Sequence, residues 1–337
     1  MSLEIPSPYL LFLGDATDPT YVKTAFGLRD WAPDRVVGEL ALPAARVTLG
    51  LPGMTPSEAA AAGAKAILIG AVNDGGFIPD AWVPSLLDAL EAGLDIVSGM
   101  HRKLSTVPAL AEAAGRLGRK LIDVRVPPTD IAVGTGAKRS GKRLLTVGTD
   151  CALGKKYTAL AIAHALQEKG VDATFRATGQ TGIMISGGGM PMDSVVIDFA
   201  SGAAELLSPD AAPDHWDVIE GQGSLLHPSF AGVTLALLHG SQPDAMVLCH
   251  DPRRTEIRGY PGFPIPPLKD VMALYLPLAR LTNPDTRFVG ISLNTHGMSE
   301  TDAEAALQAA EAETGLPAAD PVRGGVTLDR LVEACVS

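Results

Sequence analysis

The stretch Gly148-Thr149-Asp150-Cys151-Ala152-Leu153-Gly154-Lys155 has the residue types and spacing of a phosphate-binding loop. An apolar run, 144–147, leads into it, and a helix-like segment, 156–169, leads out to Gly170. Strand, glycine-bounded loop, Gly-Lys and helix form the context a P-loop needs. Backbone N–H groups then point inward, the helix dipole adds partial positive charge, and lysine adds a full one. The spacing is one residue longer than the commonest form. The residue after Gly154-Lys155 is usually Ser or Thr, whose hydroxyl ligates Mg²⁺. Here it is Lys156, followed by Tyr157. A second ammonium repels a cation, and Thr158 is expected to be rotated away. The loop suits phosphate and poorly suits Mg²⁺-nucleotide chemistry, so no metal is expected.

Further polar groups follow expected strands: Arg176, with Gln180 and Thr181 in Thr178-Gly179-Gln180-Thr181-Gly182; Asp198; Glu220 and Gln222, then His227; His250, Arg253, Arg254 and Arg258; and Asn294. In a doubly wound sheet, strand carboxyl ends share one crevice. Loop capping accounts for part of this set. Glu220, Asp198 and His227 are the candidate acids and bases. The arginines are candidate carboxylate partners, because guanidinium forms paired hydrogen bonds to carboxylate.

The elements that must position these residues alternate. In the first half, strands are expected at 9–13, 35–37, 47–49, 66–70, 95–97 and 120–124. Helices are expected from Thr55-Pro56-Ser57-Glu58, a capping box with Pro at the first position, and at 80–92 and 107–117. This βαβαβ pattern argues for a parallel, Rossmann-like sheet. No strand opens a Gly-x-Gly-x-x-Gly turn, so a dinucleotide role lacks support. The glycine-rich turn at 73–76 and the segment around His101 follow strands, and His101 reads as a hydrogen-bonded loop residue. Gly134 to Gly141, with Lys138, Arg139 and Lys142, reads as a solvated linker, the alternative being that its bases lean over a bound phosphate. The second half has expected strands at 144–147, 173–177, 194–199, 217–219, 245–249 and 288–293, with helices at 268–281, from Thr301, and at 328–335. The expected domains are 1–133 and 143–337, joined by 134–142.

Composition narrows the functions. The 337 residues are 46% hydrophobic with a net charge of -11, which disfavours nucleic acid or an anionic membrane as partner. An anionic ligand needs a local positive site, and the loop is one. The three cysteines have neither metal-ligand nor disulfide spacing, which fits a reducing cytoplasm. The first residues lack a basic segment followed by an apolar one, so no signal peptide is expected.

Gly148-Thr149-Asp150 through Gly154-Lys155, with the Glu220-Gly221-Gln222-Gly223 segment, resembles dethiobiotin synthetase over the second half, and departs from it at Lys156. The same segments, with Thr178-Gly-Gln-Thr-Gly and the run from Glu220 to His227-Pro228, are similar nearly end to end to a two-domain P-loop family long labelled as of unknown function. That resemblance implies an α/β protein: an N-terminal Rossmann-like parallel sheet and a C-terminal, SIMIBI-like doubly wound P-loop domain. Its members with an assigned activity are D-glutamate N-acetyltransferases of the DgcN type, which use acetyl-CoA. The implied reaction is acetyl transfer to the amine of D-glutamate.

The residues are compatible with that implication. Residues 148–157 would hold coenzyme A, a polyanion, without metal. Glu220, Asp198 or His227 would take the proton from the amine, which is mostly protonated at neutral pH. Loop N–H groups or Lys155 would meet the oxyanion. Gln180, Thr181, Gln222, Arg176, Arg253, Arg254 and Arg258 would bind the substrate. The alternatives are an ATP- and Mg²⁺-dependent kinase or ligase, and a non-enzymatic nucleotide-binding regulator. A homo-oligomer is the expected assembly.

Overall fold

The computed structural model describes residues 5–73 and 75–337. The start of the chain and Asp74 of the expected glycine-rich turn lie outside the described residues. Two compact units are formed, one from residues 1–128 and 180–191, the other from 129–179 and 192–337.

The first unit contains β1 (Tyr9–Gly14), α1 (Lys23–Trp31), β2 (Val36–Ala41), α2 (Pro56–Ala61), β3 (Ala66–Ile69), α3 (Val83–Glu91), β4 (Asp95–Ser98), α4 (Pro108–Leu117) and β5 (Leu121–Asp123). Its five parallel strands run β2-β1-β3-β4-β5. β1 and β3 are buried along their whole length, which is why both are continuous apolar runs. The α2 start is the expected capping box: Thr55 accepts from Glu58 N–H, and Glu58 accepts from Thr55 N–H. Residues 47–49, expected as a strand, form none; Leu49 N–H instead donates to the buried Glu39 carboxylate at 2.7 Å. The turn after β3 borders a cavity of 310 Å³ lined by Asp15, Tyr21, Asn73 and Trp82, among others.

The second unit contains β6 (Lys142–Gly148), α5 (Lys155–Glu168) and β7 (Ala173–Arg176). The chain then leaves for α6 (Gln180–Ser186), which counts with the first unit. Here a helix replaces the loop expected at 178–182. The second unit resumes with α7 (Ala200–Leu207), β8 (Trp216–Ile219), α8 (Ala231–Ser241), β9 (Ala245–His250), α9 (Leu268–Ala279), β10 (Arg287–Leu293), α10 (Glu300–Thr314), β11 (Ala318–Ala319) and α11 (Gly325–Val336). Its six parallel strands run β11-β10-β9-β6-β8-β7. The order reverses at β6, with β8 on one side and β9 on the other, so the crevice of a doubly wound sheet opens at the end of β6. Leu144, Ile162, Val218, Val247, Val289 and Leu331 form its buried core.

One expectation fails here. Residues 194–199 make no strand; two 3₁₀ turns, Met192–Ser194 and Ile197–Phe199, take their place, with Val196 and Ile197 each 63% exposed. The basic stretch 134–142 is largely exposed, as a solvated linker would be, and its bases are also tied to the second unit. Lys138 Nζ donates to Asp244 at 2.7 Å, Arg139 donates to Ser208 O and Gly240 O at 2.7 Å each, and Lys142 opens β6. Among the described residues no helix is long and apolar enough to cross a membrane.

Candidate functional site

The loop between β6 and α5 turns through two residues in the left-handed region. Gly154 has φ +110°, a conformation L side chains rarely adopt, and Ala152 takes φ +52° without being glycine. The Lys155 side chain is buried, and its Nζ donates to Asp150 O at 2.7 Å, so it spans the loop from within. Burial pulls its pKa down. Thr158 Oγ1 donates to Gly154 O at 3.2 Å and lies 2.8 Å from Ser292 Oγ, facing the sheet as expected.

Asp150 is fully buried and anchors a neighbouring loop. Its Oδ1 accepts from Cys151 N–H at 2.6 Å; its Oδ2 accepts from Arg254 at 2.7 Å and from Arg258 N–H at 2.8 Å. Arg254 also donates to Cys151 O at 2.7 Å. Arg253 is paired with Asp251 at 3.0 Å. The Arg258 side chain is exposed and enters no ion pair among the described residues. On the other side, Thr149 Oγ1 lies 2.9 Å from His250 Nδ1, and burial holds that imidazole below its usual pKa.

Glu220 follows β8, next to β6. Its carboxylate is buried, with Oε2 accepting from Thr178 N–H at 3.0 Å and Gly179 N–H at 3.1 Å. Burial pushes its pKa up, against the pull of those N–H groups and of the Lys156 and Lys155 charges. A buried carboxyl with a raised pKa and two ammonium groups near it has the environment of a general base. Gln222 Nε2 donates to Thr178 Oγ1 at 3.1 Å, beside the same carboxylate. The close approach is made by Gly221: a Cβ there would lie 1.6 Å from Thr146 O.

The other expected residues are placed differently. Asp198 is exposed in a 3₁₀ turn, without the burial or hydrogen bonds of Glu220. Arg176 donates to Asp217, near the start of β8, at 2.5 Å and is spent there. Thr181 Oγ1 lies 2.8 Å from Thr24 Oγ1, and with Gln180 it belongs to the first unit. His227 is buried, and its Nδ1 accepts from Ser229 N–H at 3.2 Å. The ring proton of the neutral imidazole is therefore on Nε2, which gives a proton rather than takes one.

One group of described side chains could hold a metal ion: Asp150, Cys151 and His227, with donor atoms within 4.8 Å of one another. Its chemistry opposes a cation. Arg254 occupies an Asp150 oxygen, and a protonated Nε2 has no lone pair to ligate with. Burial also pushes the Cys151 thiol up, away from the thiolate that binds metal.

Sequence alone did not single out Tyr275, on α9. Its hydroxyl donates to Gly148 O at 2.9 Å and accepts from Leu225 N–H at 3.1 Å, tying β6 to the loop after Glu220. Burial pushes its pKa up to about 12. A tyrosine at a helical core position was the available signal.

Fold and site together define an α/β protein with a Rossmann-like unit and a P-loop unit. Residues 38–127 match the family described as "Domain of unknown function (DUF1611_N) Rossmann-like domain", and residues 130–332 match "Domain of unknown function (DUF1611_C) P-loop domain". The chain belongs to this two-domain family. It is 52% identical over 330 residues to a D-glutamate N-acetyltransferase of Tritonibacter scottomollicae, covering 98% of each chain. It is 48% identical over 324 residues to one from a Pseudoalteromonas species, covering 96% of this chain and 98% of that one. The crystal structure of a DUF1611 family protein from Anabaena variabilis is 35% identical, with a TM-score of 0.84, over 97% of this chain and 99% of the other. The protein is an enzyme of the acyltransferase class.

Proposed function

We propose that the protein transfers an acetyl group from acetyl-CoA to the amine of D-glutamate. Near-full-length similarity to two D-glutamate N-acetyltransferases supports the reaction. The observation that carries the chemistry is Glu220: a buried, raised-pKa carboxyl, with one oxygen fixed by two N–H groups and the other left for a proton. The substrate ammonium gives its proton to Glu220, and the freed amine attacks the thioester carbonyl. The C–S bond breaks, and the coenzyme thiolate leaves with a proton. The P-loop N–H groups, Lys155 and Lys156 receive the negative charge of the donor. Arg258 is an exposed guanidinium suited to carboxylate or phosphate.

A Mg²⁺-ATP reading fits the site less well. Lys156 stands where the ion's hydroxyl ligand belongs, and Thr158 is hydrogen-bonded toward the sheet. The test is an acetyl-transfer assay on parent and Glu220→Gln. Turnover should fall by about 10²–10⁴ while the KM for acetyl-CoA stays near the parent value. Turnover within a few-fold of the parent would remove Glu220 from the reaction.

A further inference from the structure

The strand order of the first unit reverses at β1, which has β2 on one side and β3 on the other. In an open parallel sheet, a ligand crevice lies outside the carboxyl ends of the strands at such a reversal, here β1 and β3. The cavity of 310 Å³ lies there. The segment after β1, from Asp15 to Thr17, forms one wall, and the segment after β3, from Ala71 to Asn73, forms another. The rings of Tyr21, Phe77 and Trp82 complete the lining. Aromatic walls, a few polar groups and that volume are the make-up of a small-molecule site. The P-loop and Glu220 belong to the second unit, and the proposed reaction assigns nothing to this cavity.

The local structure fixes one carboxylate at it. Gly14 takes φ +57°, and a Cβ there would lie 2.5 Å from the Trp82 ring, so glycine lets the indole lie against the end of β1. Phe12 meets the same indole edge-on, with 5.4 Å between centroids. Trp82 Nε1 then donates to Asp15 Oδ1 at 2.8 Å. Asp15 is exposed at the cavity, and its second oxygen accepts no hydrogen bond among the described residues. Tyr21, 38% exposed, adds an accessible aromatic wall. Phe77 already serves a cation, since Arg102 of the adjoining cavity lies 5.7 Å from its ring centroid. Among the described residues, no lysine or arginine lines the cavity itself. A carboxylate and aromatic ring faces both attract a cation. An anionic ligand would meet like charge there and no guanidinium.

We propose that this cavity binds a small organic cation, with its ammonium group on the open oxygen of Asp15 and its apolar body against Tyr21 and Trp82. The site does not rest on the proposed function. A free amino acid is not its ligand, because the lining offers an α-carboxylate no partner.

The experiment is calorimetric titration of the full chain at constant ionic strength. The probes are choline, a quaternary ammonium; ethanolamine, a primary one; and the neutral isostere of choline, in which carbon replaces nitrogen. At least one cation should bind saturably, and the neutral isostere should bind roughly tenfold more weakly or not at all. The preferred cation assigns the ligand as a quaternary or a primary amine, and either supports the site. Asp15→Asn keeps an acceptor for Trp82 and removes the charge, so it should raise the Kd roughly tenfold. Tyr21→Leu should raise it roughly threefold, with Tyr21→Phe near the parent, because phenylalanine keeps the ring face. No saturable binding of either cation overturns the site. Equal binding of the isostere, or undiminished binding in Asp15→Asn, also overturns it. D-glutamate should not displace the bound cation; displacement overturns the assigned ligand class and leaves the proposed function standing. Should Asp15→Asn fail to fold, Tyr21→Leu against Tyr21→Phe decides: equal Kd values in the two overturn the site.

Discussion

Glu220 is costly to the fold, and the proposed reaction makes use of that cost. Its folded pKa is raised, so the folded state binds its proton more tightly than the unfolded chain does. Between the ordinary carboxyl range and the raised value, stability therefore falls as pH rises. Above both, the protein carries a buried charge at a net cost. Glu220→Gln should consequently raise the melting temperature at pH 8, with the gain shrinking below the ordinary carboxyl range; melting curves across pH check this. The same substitution should abolish the acid limb of the pH–kcat/KM profile, because that limb marks Glu220 losing its proton. Lys155 works in the opposite direction, since burial already favours its neutral form. Lys155→Ala should weaken acetyl-CoA binding by about 1.5–3 kcal/mol, roughly tenfold to a hundredfold in Kd by calorimetry.

At the scale of elements, the parts legible in the sequence were those whose local signals agree. The run into Gly148, the glycine-bounded loop and the helix from Lys155 all appear where spacing puts them. Residues 194–199 show the limit. Ser194-Val195-Val196-Ile197-Asp198-Phe199 is apolar enough for a strand, but β8 pairs with β6 and β7, and this run pairs with neither. Asp198 sits exposed in one of the 3₁₀ turns found in place of that strand. Sequence also cannot show that Asp217, two residues into the next strand, lies within reach of Arg176. Tyr275 and Gly221 were missed as parts of the site because their roles are long-range contacts. Gly221→Ala puts a methyl into Thr146 O and should destabilise by about 1–3 kcal/mol or more in urea unfolding. Tyr275→Phe leaves Gly148 O and Leu225 N–H without their shared partner and should cost about 1–3 kcal/mol.

For the whole molecule, a net charge of -11 makes the P-loop a local exception, positive in an acidic protein. Two lysines, one of them in place of the Mg²⁺-ligating hydroxyl, suit the proposed site to a polyanion without a metal. Acetyl transfer should survive EDTA undiminished, and Lys156→Thr should weaken coenzyme A binding. The central claim is the reaction itself. It is tested most directly by incubating the purified protein with isotope-labelled acetyl-CoA, D-glutamate and EDTA, and following product by mass spectrometry. The account predicts labelled N-acetyl-D-glutamate and free coenzyme A in equal amounts. No labelled product from acetyl-CoA, together with ADP release from ATP once Mg²⁺ is supplied, would contradict it.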